Sequence, residues 1–300
     1  MPYVALLCAM FLWSSSVIAG KSALAHYAIT EVVLGRFICA AAVLWLLVLG
    51  FRHEFRLNRL SKRPLIMGLL DPGLVSLLLI WGLSQTAAVN TAVFWALMPL
   101  LMPILGRVVL KERLQPVVMV GAVIAVGGTF LLVSANLSSG EGSLFGDFLA
   151  IAAVLCACAN SLIARRVAQD HGKPLVTTAY QMSVAILAAL AAMLVFDRPD
   201  PAALEFGPPS MLVLYLGVFA TAGPFLLFNY ALRHVPVGMT GLFASLVGPM
   251  ALPMAAFFLG EEISAQELIA MAIIVLGVAL PQFGDWRGPR PLGPDLKPEA

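Results

Sequence analysis

The chain has 300 residues and a net charge of +2; 61% of it comes from the set AVILMFWYC and only 11% is charged. A soluble domain is nearer half apolar and a quarter charged, so this composition excludes an ordinary water-soluble globule and points to a chain that lives in lipid. Most of its cations sit in short turns between apolar runs, which also excludes a basic nucleic-acid-binding face.

A bilayer core of about 30 Å takes about 20 helical residues. Ten stretches qualify: Tyr3–Ala23, Glu31–Phe51, Pro64–Ser84, Thr91–Leu110, Pro116–Val133, Phe145–Arg165, Pro174–Phe196, Met211–Leu232, Thr240–Leu259 and Ala265–Phe283. The expected fold is therefore all-α and integral to the membrane, with ten transmembrane helices. The Ser- and Gly-rich stretch Asn136–Gly142 separates a unit of residues 1–136 from one of residues 143–284. Residues 285–300, rich in Pro, Gly and charge, read as a disordered tail.

The first span has no basic leader and no clear cleavage site, so it reads as retained. Trp13, Ser14, Ser15 and Ser16 lie near its centre. In the second span Arg36 reads as a side chain that snorkels to the outer headgroups, with binding of a substrate carboxylate as the alternative. The third carries Asp71 within Leu70-Asp71-Pro72-Gly73. Two readings stand for it: a helix cap at a Pro-Gly break, or a group that couples protons or binds a substrate amine. Asp71 and Arg36 enter from opposite faces and are expected to lie too far apart to pair.

The fourth span holds Trp95, Pro99 and Pro103, and the ninth holds Pro249 and Pro253. Proline removes a donor and loosens the helix one turn back, so these four mark bends: either hinges around a midplane site or static kinks that serve packing. The fifth span presents Gly121, Ala125 and Gly128 on one face, which permits close helix approach, so spans five and ten read as scaffold. Cys156 and Cys158 of the sixth span point roughly 200° apart on a helix, a poor metal clamp. That span also carries Asn160; the seventh has Tyr180 and Gln181; the eighth has Phe225, Asn229 and Tyr230.

Lys and Arg collect on cytoplasmic loops. With the N-terminus inside, the inner connections hold Arg52, Arg56, Arg59, Lys62 and Arg63; Arg107, Lys111 and Arg113; Arg165, Arg166 and Lys173; Arg233; and Arg287, Arg290 and Lys297. Only Lys21 and Arg198 remain outside, with Arg36 inside a span. Glu141, Asp197, Asp200, Glu205, Glu261 and Glu262 fall on the outer side. Both termini are expected in the cytoplasm of a bacterial inner membrane.

The halves repeat. Pro99, Pro103, Glu112 and Gly127 in Thr91–Gly128 recur as Pro249, Pro253, Glu262 and Gly277 in Gly241–Val278. Ser16-Val17-Ile18-Ala19-Gly20-Lys21 matches Ser161-Leu162-Ile163-Ala164-Arg165-Arg166, with His26 then meeting His171. The first charged turn reads Lys111-Glu112-Arg113 and the second Glu261-Glu262-Ile263. Five spans per unit is an odd number, so the second unit enters lipid from the opposite face. Two inverted five-helix repeats are the build of a secondary transporter.

Ten spans in two halves, the paired P-x-x-x-P steps and the Glu-bearing turn before spans five and ten resemble the EamA-type permeases of the drug/metabolite transporter superfamily. Within that family the chain looks most like the bacterial aromatic amino-acid exporters. The resemblance covers Tyr3–Phe283 and implies export of aromatic and other neutral amino acids by alternating access; a multidrug or other small-metabolite exporter on the same scaffold is the alternative.

Aromatic walls with few fixed polar groups suit a medium-sized amphipathic ligand. Trp13, Trp95, Phe225 and Tyr230 are the expected lining, with Ser15, Asn160 and Asn229 orienting the ligand. The expected partners are a small-molecule substrate and membrane lipid, with no nucleic acid, and a monomer suffices. No cofactor or metal is expected, and no H-E-x-x-H or G-x-S-x-G run points to an enzyme.

Overall fold

A computed structural model describes residues 1–51, 62–83, 85, 88–135, 143–170, 172–196 and 208–284. The expected linker 136–142, the tail 285–300 with Arg287, Arg290 and Lys297, and Arg52, Arg56, Arg59, Ser84, Glu141, His171, Asp197, Arg198, Asp200 and Glu205 lie outside the described residues. Among the described residues every regular element is helical and none is a strand.

The elements are α1 (Pro2–Ala23), α2 (Ile29–Gly50), α3 (Lys62–Gly68), α4 (Val75–Leu83), α5 (Ala88–Ala96), α6 (Met98–Leu110), α7 (Pro116–Ala135), α8 (Leu144–Gln169), α9 (Pro174–Phe196), α10 (Pro208–Gly217), α11 (Gly223–Ala231), α12 (Val237–Ala244), α13 (Val247–Leu259) and α14 (Ala265–Gly284). Wide π-helical turns, Leu69–Leu74 and Val218–Ala222, join α3 to α4 and α10 to α11. Prolines open α7 and α9, where a missing N–H costs nothing. Ser264 and Glu267 form a reciprocal capping box at the start of α14, with bonds of 2.8 and 3.2 Å.

Eight helical stretches among the described residues are long and apolar enough to cross a membrane. The third and fourth expected spans fall short of that length because each is broken. Asp71 leaves helical geometry at φ −145°, ψ 117°, since the residue before a proline is pushed out of the α region. The fourth span breaks at Leu97, between α5 and α6. Pro99 supplies no N–H, and the loss is felt one turn back. The same chemistry at Pro249 accompanies the break at Ser245–Leu246, between α12 and α13. The outer surface is apolar, with Leu194, Val195, Phe257 and Phe258 all strongly exposed, as lipid-facing side chains should be.

Helix pairing crosses between the halves. α7 lies along α14, α2 along α9, α6 along α12, α4 along α8 and α1 along α11. The α7–α14 seam is the closest. A Cβ on Gly121 would sit 2.4 Å from the Gly277 carbonyl oxygen, and one on Gly277 would sit 2.6 Å from that of Gly121. Only glycine permits this approach, so the small-residue stripe read in the sequence does pack as a scaffold seam. Exchanging each element for its counterpart in the other half maps this set of pairs onto itself, with one exception. α6 packs against α12, whereas the counterparts α13 and α5 do not pack together in the same way.

The two charged turns sit at opposite ends of the bundle. Glu112 Oε2 accepts the Val237 N–H at 3.0 Å, at the start of Val237–Leu259. Glu261 follows the other end of that same stretch. Both turns begin with a left-handed cap: Lys111 at φ 57° and Gly260 at φ 68°. The next amide then reaches back to Gly106 or Ala255. The caps place Glu261 opposite Glu112, one residue off the Glu112–Glu262 match read in the sequence.

Candidate functional site

The break at Asp71 frees its backbone carbonyl, which accepts the Gln181 Nε2 at 2.7 Å. From there a chain of amides crosses the bundle. Asn160 Nδ2 points at Asp71 Oδ2 at 3.4 Å, and Gln181 Nε2 at Asn160 Oδ1 at 3.4 Å. Asn229 Nδ2 donates to Gln181 Oε1 at 3.0 Å and to Thr178 Oγ1 at 2.9 Å. Thr178 in turn donates to the Pro174 carbonyl at 2.7 Å. Asn160, Thr178, Gln181 and Asn229 are all buried. Lone polar groups at this depth are costly, and mutual bonding is what makes them tolerable. A shallow crevice between α8 and α9, lined by Ala164, Val167, Ala168, Pro174 and Thr177, reaches the Asn229 end of the chain.

Arg36 is half-buried and turns toward the eighth span. Its Nε donates to Thr221 Oγ1 at 2.9 Å, and Thr221, on the π-turn before α11, is fully buried. The side chain is thus drawn into the bundle, toward the element that carries Asn229. Arg36 and Asp71 form no ion pair within 4.0 Å, as expected.

Of the expected aromatic lining, Trp13 and Phe225 meet edge to face at 5.4 Å, and Phe228 joins them 5.5 Å from Trp13. Trp95 is partly buried against the same apolar core as Trp13. Tyr230 stands apart. It is 36% exposed and its ring lies 5.5 Å from His234 at the helix end. Ser15 is also separate: it donates to the Leu12 carbonyl and accepts the Tyr215 hydroxyl at 2.8 Å. So the structure brings Asn160 and Asn229 together through Gln181, and Trp13 together with Phe225, but joins neither Ser15 nor Tyr230 to them.

The prolines differ. Pro99, Pro103 and Pro249 are buried, while Pro253 is exposed. Ser14, rather than Ser15, ties the first span to the break in the ninth, donating to the Val247 carbonyl at 2.9 Å. Near the two breaks, the hydroxyls of Thr91 and Ser245 are buried without a protein partner. At one end of the bundle, Arg165 Nε bonds Glu112 Oε1 at 2.7 Å, and the same guanidinium donates to the Leu232 carbonyl. At the other end Lys21 pairs with Glu261. Among the described residues no group of three or more His, Cys, Asp or Glu is arranged to hold a metal.

Sequence reasoning passed over Gln181 and Thr178 as site residues, although a Gln in the middle of an apolar span was a usable signal. Glu112 and Arg165 figure in the sequence as parts of the repeat and as loop charges, but not as partners of one another.

Comparison with known proteins gives four findings. The uncharacterised transporter YetK of Bacillus subtilis is 25% identical over 92% of this chain and 85% of its own. A probable amino-acid metabolite efflux pump of Salmonella typhimurium is 25% identical over 60% of this chain and 62% of its own. A solved crystal structure has the same fold, with a TM-score of 0.81 at 21% identity, covering 95% of this chain and 98% of its own. The sequence profile of the EamA-like transporters matches residues 1–134 and 144–281, and with this multi-helix membrane bundle around it, that match makes the chain a member of the EamA-like transporter family.

Proposed function

We propose that the protein exports amino acids, aromatic and other neutral ones, across the bacterial inner membrane by alternating access. The observation that carries this reading is the buried amide chain from Asp71 to Thr178, set in an apolar bundle near the Trp13–Phe225–Phe228 cluster. A few fixed polar groups near aromatic faces suit a ligand with a charged head and an apolar body. Asn160, Gln181 and Asn229 orient the ligand's polar end, while Trp13, Phe225 and Trp95 take its side chain. Ser15 and Tyr230 stand off and take no ligand contact in this reading. The name of the Salmonella relative favours amino acids as cargo.

Two inverted five-helix units supply the motion. The repeated left-handed caps, the charged turns at opposite ends of Val237–Leu259 and the two stretches matched by the family profile all support that architecture. The loop cations support cytoplasmic termini. In this conformation the fourth and ninth spans pack at the Glu112 end, through α6 and α12, and among the described residues show no comparable packing at the Glu261 end. That is the asymmetry expected of one access state, with Pro99 and Pro249 at the bends.

Counterflow in reconstituted liposomes tests the reading. Saturable exchange of labelled phenylalanine, tryptophan or leucine is expected, and Gln181→Leu should reduce it more than about tenfold by leaving the Asp71 carbonyl unpaired and Asn229 with Thr178 alone. Flux of lipophilic cations with no amino-acid exchange would replace the cargo. Non-saturating conductance would overturn the carrier.

A further inference from the structure

The third and eighth spans each contain one wide turn, Leu69–Leu74 and Val218–Ala222, and the two turns are built alike. Each is closed by an amide that reaches five residues back, Val75 to Leu70 and Gly223 to Val218. A proline removes a helical donor at each, Pro72 inside the first turn and Pro224 just after the second. A glycine precedes each, Gly68 and Gly217. A Cβ on Gly68 would strike the Gln181 carbonyl, and one on Gly217 would lie 2.8 Å from the Arg36 carbonyl oxygen. The same two residues then pin the turns with their side chains. Gln181 Nε2 donates to the Asp71 carbonyl at 2.7 Å, and Arg36 Nε donates to Thr221 Oγ1 at 2.9 Å. Arg36 and Gln181 are as far apart in sequence as Ser16 and Ser161, which the repeat matches. Both pins cross between the halves. The packing repeats as well. α3 and the first turn lie against α9, and α10 and the second turn against α2; beyond the turns, α4 lies along α8 and α11 along α1. Each span thus changes its main partner at its wide turn.

We propose that the two wide turns are a matched pair of hinges, each pinned by one polar side chain from the opposite half, and that the two pins bias access toward opposite sides of the membrane. This rests on the inverted-repeat, alternating-access reading above and names the contacts that set its balance. Wide turns inside helices are frequent at functional sites. A turn at which a span trades one neighbour for another absorbs any relative motion of those neighbours. The operation that exchanges inverted halves also exchanges the two faces of the membrane. Whatever preference the Gln181 pin has for one access state, the Arg36 pin therefore has for the other. One pin is an amide on a carbonyl and the other a guanidinium on a hydroxyl, so their sizes differ while their signs oppose. Thr221 is fully buried and stands two residues before α11. Its pin therefore also seats the helix that carries Phe225 and Asn229.

The full-length protein in nanodiscs, where a soluble maleimide reaches both faces, provides the test. Met239→Cys reports on the Glu112 end, and Ala23→Cys, close to Lys21, on the Glu261 end; both positions are buried. Labelling at each, read by mass spectrometry of the peptides, gives a ratio that follows the balance of access states. Thr221→Val removes the hydroxyl and keeps the shape. It is expected to move the ratio by about threefold or more, the weight of one hydrogen bond. Arg36→Met, which breaks the same pin from its other side, should repeat that sign. Gln181→Met should move the ratio the opposite way, and the Thr221→Val, Gln181→Met double variant should fall between the two. Thr221→Ser, which keeps the hydroxyl, should match the parent. A variant that merely unfolds raises both labels together, and the remaining variant of the same pin then decides the sign. Shifts in one common direction, no shift at either pin, or a Thr221→Ser that behaves like Thr221→Val would overturn the paired pins and leave the carrier standing. If an impermeant reagent tags Lys111→Cys and Glu261→Cys from a single face of sealed liposomes, the inverted build itself fails, and the pins fail with it.

Discussion

At the Glu112 end of the bundle, the Glu112 side chain is only 13% exposed and is tied directly to α8 and α12, although Lys111 and Arg113 beside it are exposed. Arg165 of α8 bonds its carboxylate and the Leu232 carbonyl, and the Val237 amide bonds its second oxygen. At the Glu261 end the equivalent turn makes one contact with Lys21, and both side chains are about half exposed or more, at 66% and 46%. The same left-handed cap presents both glutamates. What differs is the packing behind them: α6 lies against α12 at the first end, while among the described residues α5 and α13 show no comparable packing at the second. The same kind of capped, Glu-bearing turn can therefore be held firmly at one end of the bundle and loosely at the other. In the alternating-access reading, opening the Glu112 end is the energetically demanding half of the cycle.

The largest effect should come from breaking the buried pair. Arg165→Met or Glu112→Gln leaves a partner unpaired away from water and is expected to cost about 3–5 kcal/mol. A double-mutant cycle in detergent should show strong coupling, and an added cysteine at Met239 should become reactive to impermeant thiol reagents. Coupling below about 1 kcal/mol would erase the contrast between the ends. Next come the prolines. Pro103 is buried with its ring about 3 Å from where a Cβ on Gly238 would lie, whereas Pro253 is exposed. Pro103→Ala should change exchange rates about tenfold, roughly 1.4 kcal/mol, and Pro253→Ala much less; equal effects would make the two bends equivalent. The smallest effect belongs to Lys21→Gln and Glu261→Gln. Their coupling should stay below about 1 kcal/mol and vanish in high salt, since exposed charges are screened. A salt-resistant coupling there would show a second firm end.

The apolar spans were legible because lipid demands long runs without charge, and Leu70-Asp71-Pro72-Gly73 announced a break. The Gly121–Ala125–Gly128 seam was legible because small residues at helical spacing have one obvious use. What failed was rotation. Neighbouring residues on a helix point about 100° apart, so Asn229 turns inward while Tyr230 turns out, and Ser14 rather than Ser15 reaches the ninth span. In a helix that is apolar all round, no polar face shows which side meets a neighbour. The same gap hid Gln181 and Thr178, whose role exists only once α9 faces α8 and α11. The Glu261 match was missed by one residue because the stretch from Pro253 to its cap is one residue shorter than that from Pro103 to Lys111.

Gly121 and Gly277 bring two main chains into direct touch, and each belongs to a different half. Contacts made by carbonyls and alpha carbons leave no rotamers to slide, so this joint behaves as a keel. It also means that neither five-span piece carries its own mate for that helix; each is finished only by the other. Severed between residues 136 and 142 and produced as separate polypeptides, the pieces should find one another in the bilayer along this line.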